Sequence, residues 1–207
     1  SFSHNFQLNA DLDKENAVEI KDATFKYFNS EEYIFEDLNL TIPKGKHIVI
    51  TGPNGSGKST LLGLFSGVFY PQSGSIKIHS NKLGYVGASP MILNSTLRDN
   101  LTYAMDGDIE DSEMFKMLTL FKVFNEKNPD LDMKVSNKTL SMGQMQKVSF
   151  IRALLSGVEV LILDESTSNL DEDSKELIFK ILKDLNITII NSTHNKEDFD
   201  NVDMHIQ

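Results

Sequence analysis

Residues 52–60 read Gly52-Pro53-Asn54-Gly55-Ser56-Gly57-Lys58-Ser59-Thr60, a full match to G-x-x-x-x-G-K-[ST]. Glycines at this spacing let successive backbone N–H groups turn inward toward phosphate oxygens. A helix starting where the loop ends adds the positive end of its dipole. Lys58 then reaches the outer phosphates, and the Ser59 hydroxyl suits a Mg2+ ion. A second pair, Asp164-Glu165, closes the apolar run Val160–Leu163. A carboxylate at the C-terminal end of a buried parallel strand lies where α/β sheets bind ligands. Asp164 suits Mg2+ held through water, and Glu165 suits polarising an attacking water. His194, in Asn191-Ser192-Thr193-His194, follows a third apolar run. It suits a hydrogen bond to a terminal phosphate or the orienting of the water. Taken singly, each piece reads as a glycine turn, a solvated loop or a loop histidine. Their combination argues for a nucleotide site.

These groups need a sheet edge and helices to hold them. The runs Ile48–Ile50, Val160–Leu163 and Ile187–Ile190 are nearly all apolar, as strands buried on both faces of a parallel sheet are. A strand over His47–Thr51 precedes the glycine loop, and Leu61, Leu62 and Phe65 give the following stretch a helical pattern. Val18 and Ile20, then Leu38, Leu40 and Ile42, then Ile76 and Ile78 alternate with polar neighbours. That pattern predicts half-buried antiparallel strands. Met114, Met117, Leu118, Phe121 and Phe124 predict one helix face, and Leu177, Ile178, Ile181, Leu182 and Leu185 another. Residues 1–16 are polar and aperiodic and read as a linker before a domain spanning 17–207.

The bulk numbers exclude other chemistries. The 207 residues include no cysteine, which removes disulfides, thiolate metal sites and cysteine nucleophiles. The net charge of −10 argues against a nucleic-acid partner. No apolar run approaches the roughly 20 residues that span a bilayer, and no signal peptide is visible. The first residue is Ser1, read as excision from a longer polypeptide.

Leu140-Ser141-Met142-Gly143-Gln144 precedes the acidic strand and resembles the LSGGQ signature of the ABC (ATP-binding cassette) ATPases. With the glycine loop and Asp164-Glu165, the resemblance covers nearly the whole chain. On the residues alone, Ser141 and Gln144 form a capping box at a helix start. The resemblance implies a mostly parallel P-loop NTPase sheet flanked by helices, an N-terminal antiparallel β subdomain and a helical subdomain over about 91–156. It implies ATP and Mg2+ as ligands and hydrolysis by Glu165, His194 and Lys58. It implies that Ser141, Gly143 and Gln144 face the ATP of a second nucleotide-binding domain, in a homodimer or pseudo-dimer. Ser168-Asn169-Leu170-Asp171 resembles the D-loop, and Tyr27 occupies the place of the aromatic that stacks on adenine. Thr96-Leu97-Arg98-Asp99-Asn100-Leu101 resembles exporter-type domains in particular. The resemblance further implies a transmembrane domain as partner and a place on the cytoplasmic face of a membrane.

The chain also departs from the family. Ala88 stands where the Q-loop glutamine is expected, and Gln72 cannot replace it, because it precedes the strand at Ser75–Ile78. Met142 replaces the first signature glycine, while Gly143 keeps the second. Lys134–Thr139 lacks the V-G-E-x-G pattern, and the usual last strands and helices after His194 are short or missing. Asn195-Lys196-Glu197-Asp198 matches the guanine-reading N-K-x-D, but no D-x-x-G follows the acidic strand. A GTPase is therefore the weaker reading. So are a DNA-repair or translation ATPase, which would carry insertions or a second cassette, and a catalytically weak binding module.

Overall fold

The computed structural model describes residues 5–8, 15–103, 105–194 and 204–206. Its elements begin with β1 (Phe6–Leu8), β2 (Asn16–Phe25), β3 (Phe35–Pro43), β4 (His47–Ile50), α1 (Lys58–Phe65), β5 (Ser73–Ile78) and β6 (Leu83–Gly87). There follow β7 (Ser95–Thr96), α2 (Leu97–Thr102), α3 (Asp111–Leu120), β8 (Lys134–Val135) and α4 (Met142–Leu155). The chain continues through β9 (Val160–Asp164), α5 (Glu172–Lys183), β10 (Thr188–Ser192) and β11 (Met204–Ile206). It divides into two compact units: Ser1–Leu83 with Glu159–Asp164 and Asn186–Gln207, and Gly84–Val158 with Glu165–Leu185.

The first unit holds an antiparallel pairing of β2 with β3 and with β5, as the alternating pattern predicts. Val18, Ile20, Ile42, Ile76 and Ile78 are among its buried side chains. β1 adds to β5 in parallel, so the stretch read as a linker contributes a strand. Phe6-Gln7-Leu8 alternates over only three residues, too short a pattern to mark a strand by itself. Beside this sheet lie four parallel strands in the order β11-β4-β10-β9. Leu161, Ile162, Leu163 and Ile190 have no measurable exposure, which explains their unbroken apolar runs. Truncating any of them to alanine costs about 2–5 kcal/mol. α1 packs against β5, β9 and β10, burying Thr60 through Phe65.

In the second unit α2 and α3 pack on α4. The Met/Phe face is real through Met114 and Leu118, but the helix stops at Leu120 and Phe124 lies beyond it. Lys122 takes a left-handed backbone, with φ of 49°. Val123 N then bonds Leu118 O at 3.0 Å and Lys122 N bonds Thr119 O at 3.1 Å. That is a Schellman ending, usually built on glycine, so a lysine there gave no warning. The third apolar run is likewise displaced by one residue, since β10 starts at Thr188 and Ile187 is only half-buried. Among the described residues no helix is long and apolar enough to cross a membrane. The N-K-x-D stretch, 195–198, lies outside the described residues.

Candidate active site

Strand register places the chemistry of the first unit. Ser192 is the pairing partner of both Ile50 and Asp164. The carboxyl ends of β4, β10 and β9 therefore stand level, about 4.8 Å apart from strand to strand. The glycine loop leaves from the first, His194 follows the second by two residues, and Asp164 ends the third. Pro53 through Ser56, Ser59 and His194 are exposed, and Asp164 is half-buried.

The loop itself is shaped by its glycines. Gly57 is the N-cap of α1 at φ of 94°, a left-handed conformation that a side chain resists. A Cβ on Gly52 would come within 2.6 Å of Ser56 Oγ. No side chain caps α1, and its first turn carries no acidic residue. Its leading N–H groups have no intrahelical acceptor, so the helix start is open to an anion. Lys58 Nζ turns back onto the loop, donating to Gly52 O and to Pro53 O at 3.0 Å. Carbonyl oxygens are weaker acceptors for an ammonium than a phosphate is, so Lys58 can exchange them for a triphosphate.

Metal fit follows from the same residues. Among the described residues no three His, Cys, Asp or Glu side chains cluster as a cage. Mg2+ needs none, since it keeps several waters and takes one or two protein oxygens plus phosphate oxygens. Ser59 and Asp164 supply that kind of donor set.

Tyr27 is 41% exposed, and its hydroxyl shares a 2.6 Å hydrogen bond with Thr60 Oγ1. A cavity of about 340 Å3, lined by Lys44, His79, Ser80, Glu159 and Thr188 among others, opens by the starts of β9 and β10. It thus lies at the end of those strands away from the glycine loop.

The second unit carries the remaining candidates. Glu165 has a left-handed backbone, with φ of 51°. Only tertiary structure holds a non-glycine residue there, and such strain concentrates at functional positions. Ser141 and Gln144 do form the capping box: Gln144 N donates to Ser141 Oγ at 3.1 Å, and Ser141 N donates to Gln144 Oε1 at 2.9 Å. Gln144 Nε2 also donates to Val123 O at 3.1 Å. The start of α4 is thus partly capped by its own chain rather than uncovered, and the N–H groups of Met142 and Gly143 are left without intrahelical acceptors. A Cβ on Gly143 would meet only Leu170 Cδ2, at 3.8 Å. The fold itself therefore has room for a side chain there. Asp171 caps α5 by accepting from Ser174 N at 2.7 Å, and that bond holds its carboxyl below the usual carboxylate range.

The segment with Ala88 is pinned along its length. Gln146 Nε2 donates to Gly87 O at 2.9 Å, Asn169 Nδ2 to Ala88 O at 3.2 Å, and an Arg152 terminal nitrogen to Met91 O at 3.0 Å. Asn100, fully buried, accepts from Leu93 N at 2.7 Å and donates to Leu93 O at 3.0 Å. Burial lowers the Arg152 pKa from its ordinary value. The run Thr96–Leu101 is engaged in the same framework. Thr96 and Asp99 cap α2, Leu97 and Leu101 are buried, and Arg98 pairs with Asp111 and Asp132. The clamps from Gln146, Asn169 and Arg152 are long-range and left no local mark in the sequence.

The family model described as ABC transporter matches residues 35–168. The chain belongs to the ABC transporter family. Within it, the ATP-dependent permease MDL1 of Candida albicans is 36% identical over 209 residues, covering 90% of this chain and 30% of the permease. The nickel import system ATP-binding protein NikE of Staphylococcus aureus is 34% identical over 184 residues, covering 84% of this chain and 76% of that protein. A solved bacterial Atm1-family ABC exporter with ATP bound superposes with a TM-score of 0.80 at 24% identity, over 94% of this chain and 37% of the exporter. The chain thus spans under a third of the permease and over a third of the exporter. As a member of the ABC family it is an ATP-binding ATPase domain with the expected P-loop α/β fold.

Proposed function

We propose that the chain is the motor of an ABC transporter, in which two such domains sandwich two ATP molecules head to tail. The observation that carries this is the level alignment of Ile50, Ser192 and Asp164, which gathers the glycine loop, His194 and a carboxylate at one sheet edge. The loop amides and Lys58 bind the β- and γ-phosphates, Tyr27 takes the base, and Ser59 and Asp164 hold Mg2+. Bound there, Mg2+ would supply positive charge against the phosphates. Glu165, next in the chain after Asp164, polarises the water for in-line attack, and His194 stabilises the developing negative charge. The Ser141–Gln144 start of α4 faces the partner domain's γ-phosphate, where Gly143 brings no side chain and its N–H is available.

Loss of the γ-phosphate then removes the charge that both surfaces neutralise, and the dimer opens. The pinned segment Ala88–Leu101 passes that opening to a transmembrane domain, with the chain on the cytoplasmic side. Segment 91–156 acts as the helical subdomain, and residues 6–8 of the leading stretch join the domain's sheet. Export is the direction supported by Thr96–Leu101, while relatives named for import stand beside the permeases. The test is Glu165→Gln with saturating Mg2+–ATP in analytical ultracentrifugation. A stable dimer with hydrolysis lost supports the assignment. A monomer that hydrolyses ATP normally overturns it.

A further inference from the structure

The parallel strands β4, β10 and β9 line up in ranks. Ile48, Ile190 and Ile162 are pairing partners in one rank, and two residues further on Ile50, Ser192 and Asp164 are partners in the next. Side chains alternate between the faces of a sheet with a period of two, so both ranks share a face. That face packs on α1: Ile48, Ile50, Ile162 and Ile190 belong to one core cluster with Leu61, Leu62 and Phe65. The first rank is aliphatic throughout. The second breaks the pattern, with a serine between an isoleucine and a carboxylate.

Ser192 is 1% exposed, and its Oγ has no hydrogen-bond partner among the described residues. A buried hydroxyl left unbonded destabilises a fold, whereas an aliphatic side chain at this place would continue the core. Packing therefore gives no reason for a serine here. Its neighbour does. Adjacent strands run about 4.8 Å apart, so the hydroxyl stands beside the side chain of Asp164, at the end of the sheet where the glycine loop leaves β4. We propose that Ser192 is a positioning residue for the metal site: its hydroxyl bonds the water through which Asp164 holds Mg2+, and so fixes where that water lies. The ligand class is a hydrated divalent cation carried on a nucleoside triphosphate. This rests on the reading of Ser59 and Asp164 as the Mg2+ residues given above. Ser192 acts here on the hydrated ion and not on the phosphates or the base.

Two probes separate the ion from the nucleotide: Mg2+–ATP, and ATP in EDTA. Binding of both is measured by calorimetry for wild type, Ser192→Ala, Ser192→Thr and Ser192→Val, with a melting temperature for each. Ser192→Ala should weaken Mg2+–ATP about fivefold, the scale of one hydrogen bond, and leave ATP in EDTA unchanged. Its melting temperature should hold or rise, because a hydroxyl without a partner has left the core. Ser192→Thr and Ser192→Val share one shape and strain the site alike, so they differ by the hydroxyl alone. The threonine variant should bind Mg2+–ATP about fivefold more tightly than the valine variant. Equal weakening of both probes in Ser192→Ala would mean that the residue supports the phosphate site, and would overturn the proposal. So would Mg2+–ATP affinity that is alike in the threonine and valine variants, or a lowered melting temperature in Ser192→Ala, which would give the hydroxyl a role in folding instead. Wild type that binds ATP no better with Mg2+ than in EDTA would sink the metal reading on which this one stands.

Discussion

The starts of α1 and α4 are both helix N-termini assigned to phosphate, yet they differ in what satisfies their amides. α1 begins at a left-handed glycine with no side-chain cap and no acidic residue in its first turn. α4 begins with Ser141 and Gln144 closed on each other. The first is proposed as an anion site within one chain, built from the loop, Lys58 and the open start of α1. The second offers residual donors and a bare Gly143. A site that binds on its own and a surface that completes another site impose different demands, and the proposal gives each helix one of them.

That contrast can be broken from either side. The largest effect should come from Lys58→Ala, which removes a charge-assisted contact and should weaken Mg2+–ATP binding about 10- to 100-fold. Unchanged affinity in a calorimetric titration would mean that α1 does not grip the outer phosphates. On the other helix, Gly143→Ala should separate folding from function. The added Cβ meets only Leu170 at 3.8 Å, and alanine is the better helix former, by up to about 1 kcal/mol. The melting temperature should hold or rise while ATP turnover falls on the order of tenfold, because a close approach from outside is disturbed. A variant that is stable and fully active would show that nothing docks there.

Smaller effects sharpen the second unit's role. Ala88→Gln should raise Mg2+-dependent turnover about threefold, the side-chain oxygen adding one polar contact to the reacting centre. No gain would mean that the pinned backbone leaves the position out of reach. The smallest effect concerns the cap of α5. The Asp171 pKa is lowered in the folded state by Ser174 N, so its contribution to stability is present above the ordinary carboxylate pKa. It is lost as pH falls through the depressed folded value. The melting-temperature gap between wild type and Asp171→Ala should therefore be largest near neutral pH and shrink below about pH 4. A gap that widens on acidification would contradict the cap.

What could be read in the sequence follows the same divide. The glycine loop, β9 and Asp164-Glu165 are local patterns, and their placement needed only parallel strands of matched length. The Ser141 capping box is also local and reads correctly. The clamp of Gln72 on Lys26 joins residues 46 apart, and the Gln146 bond to Gly87 joins residues 59 apart. Neither has a periodicity to reveal it. β1, only three residues long, exists through its pairing with β5. The end of α3 and the conformation of Glu165 both rest on left-handed non-glycine residues, which propensity assigns elsewhere and tertiary contacts enforce.

The central claim is that α1 accepts the triphosphate alone while α4 accepts it only from a second domain. Amide hydrogen exchange of the Glu165→Gln chain with Mg2+–ATP, over a range of protein concentrations, tests both halves in one measurement. Residues 52–60 should be protected even at the lowest concentration, with 141–144 gaining protection only as the dimer forms. Unprotected amides at 52–60 under saturating nucleotide would contradict the account.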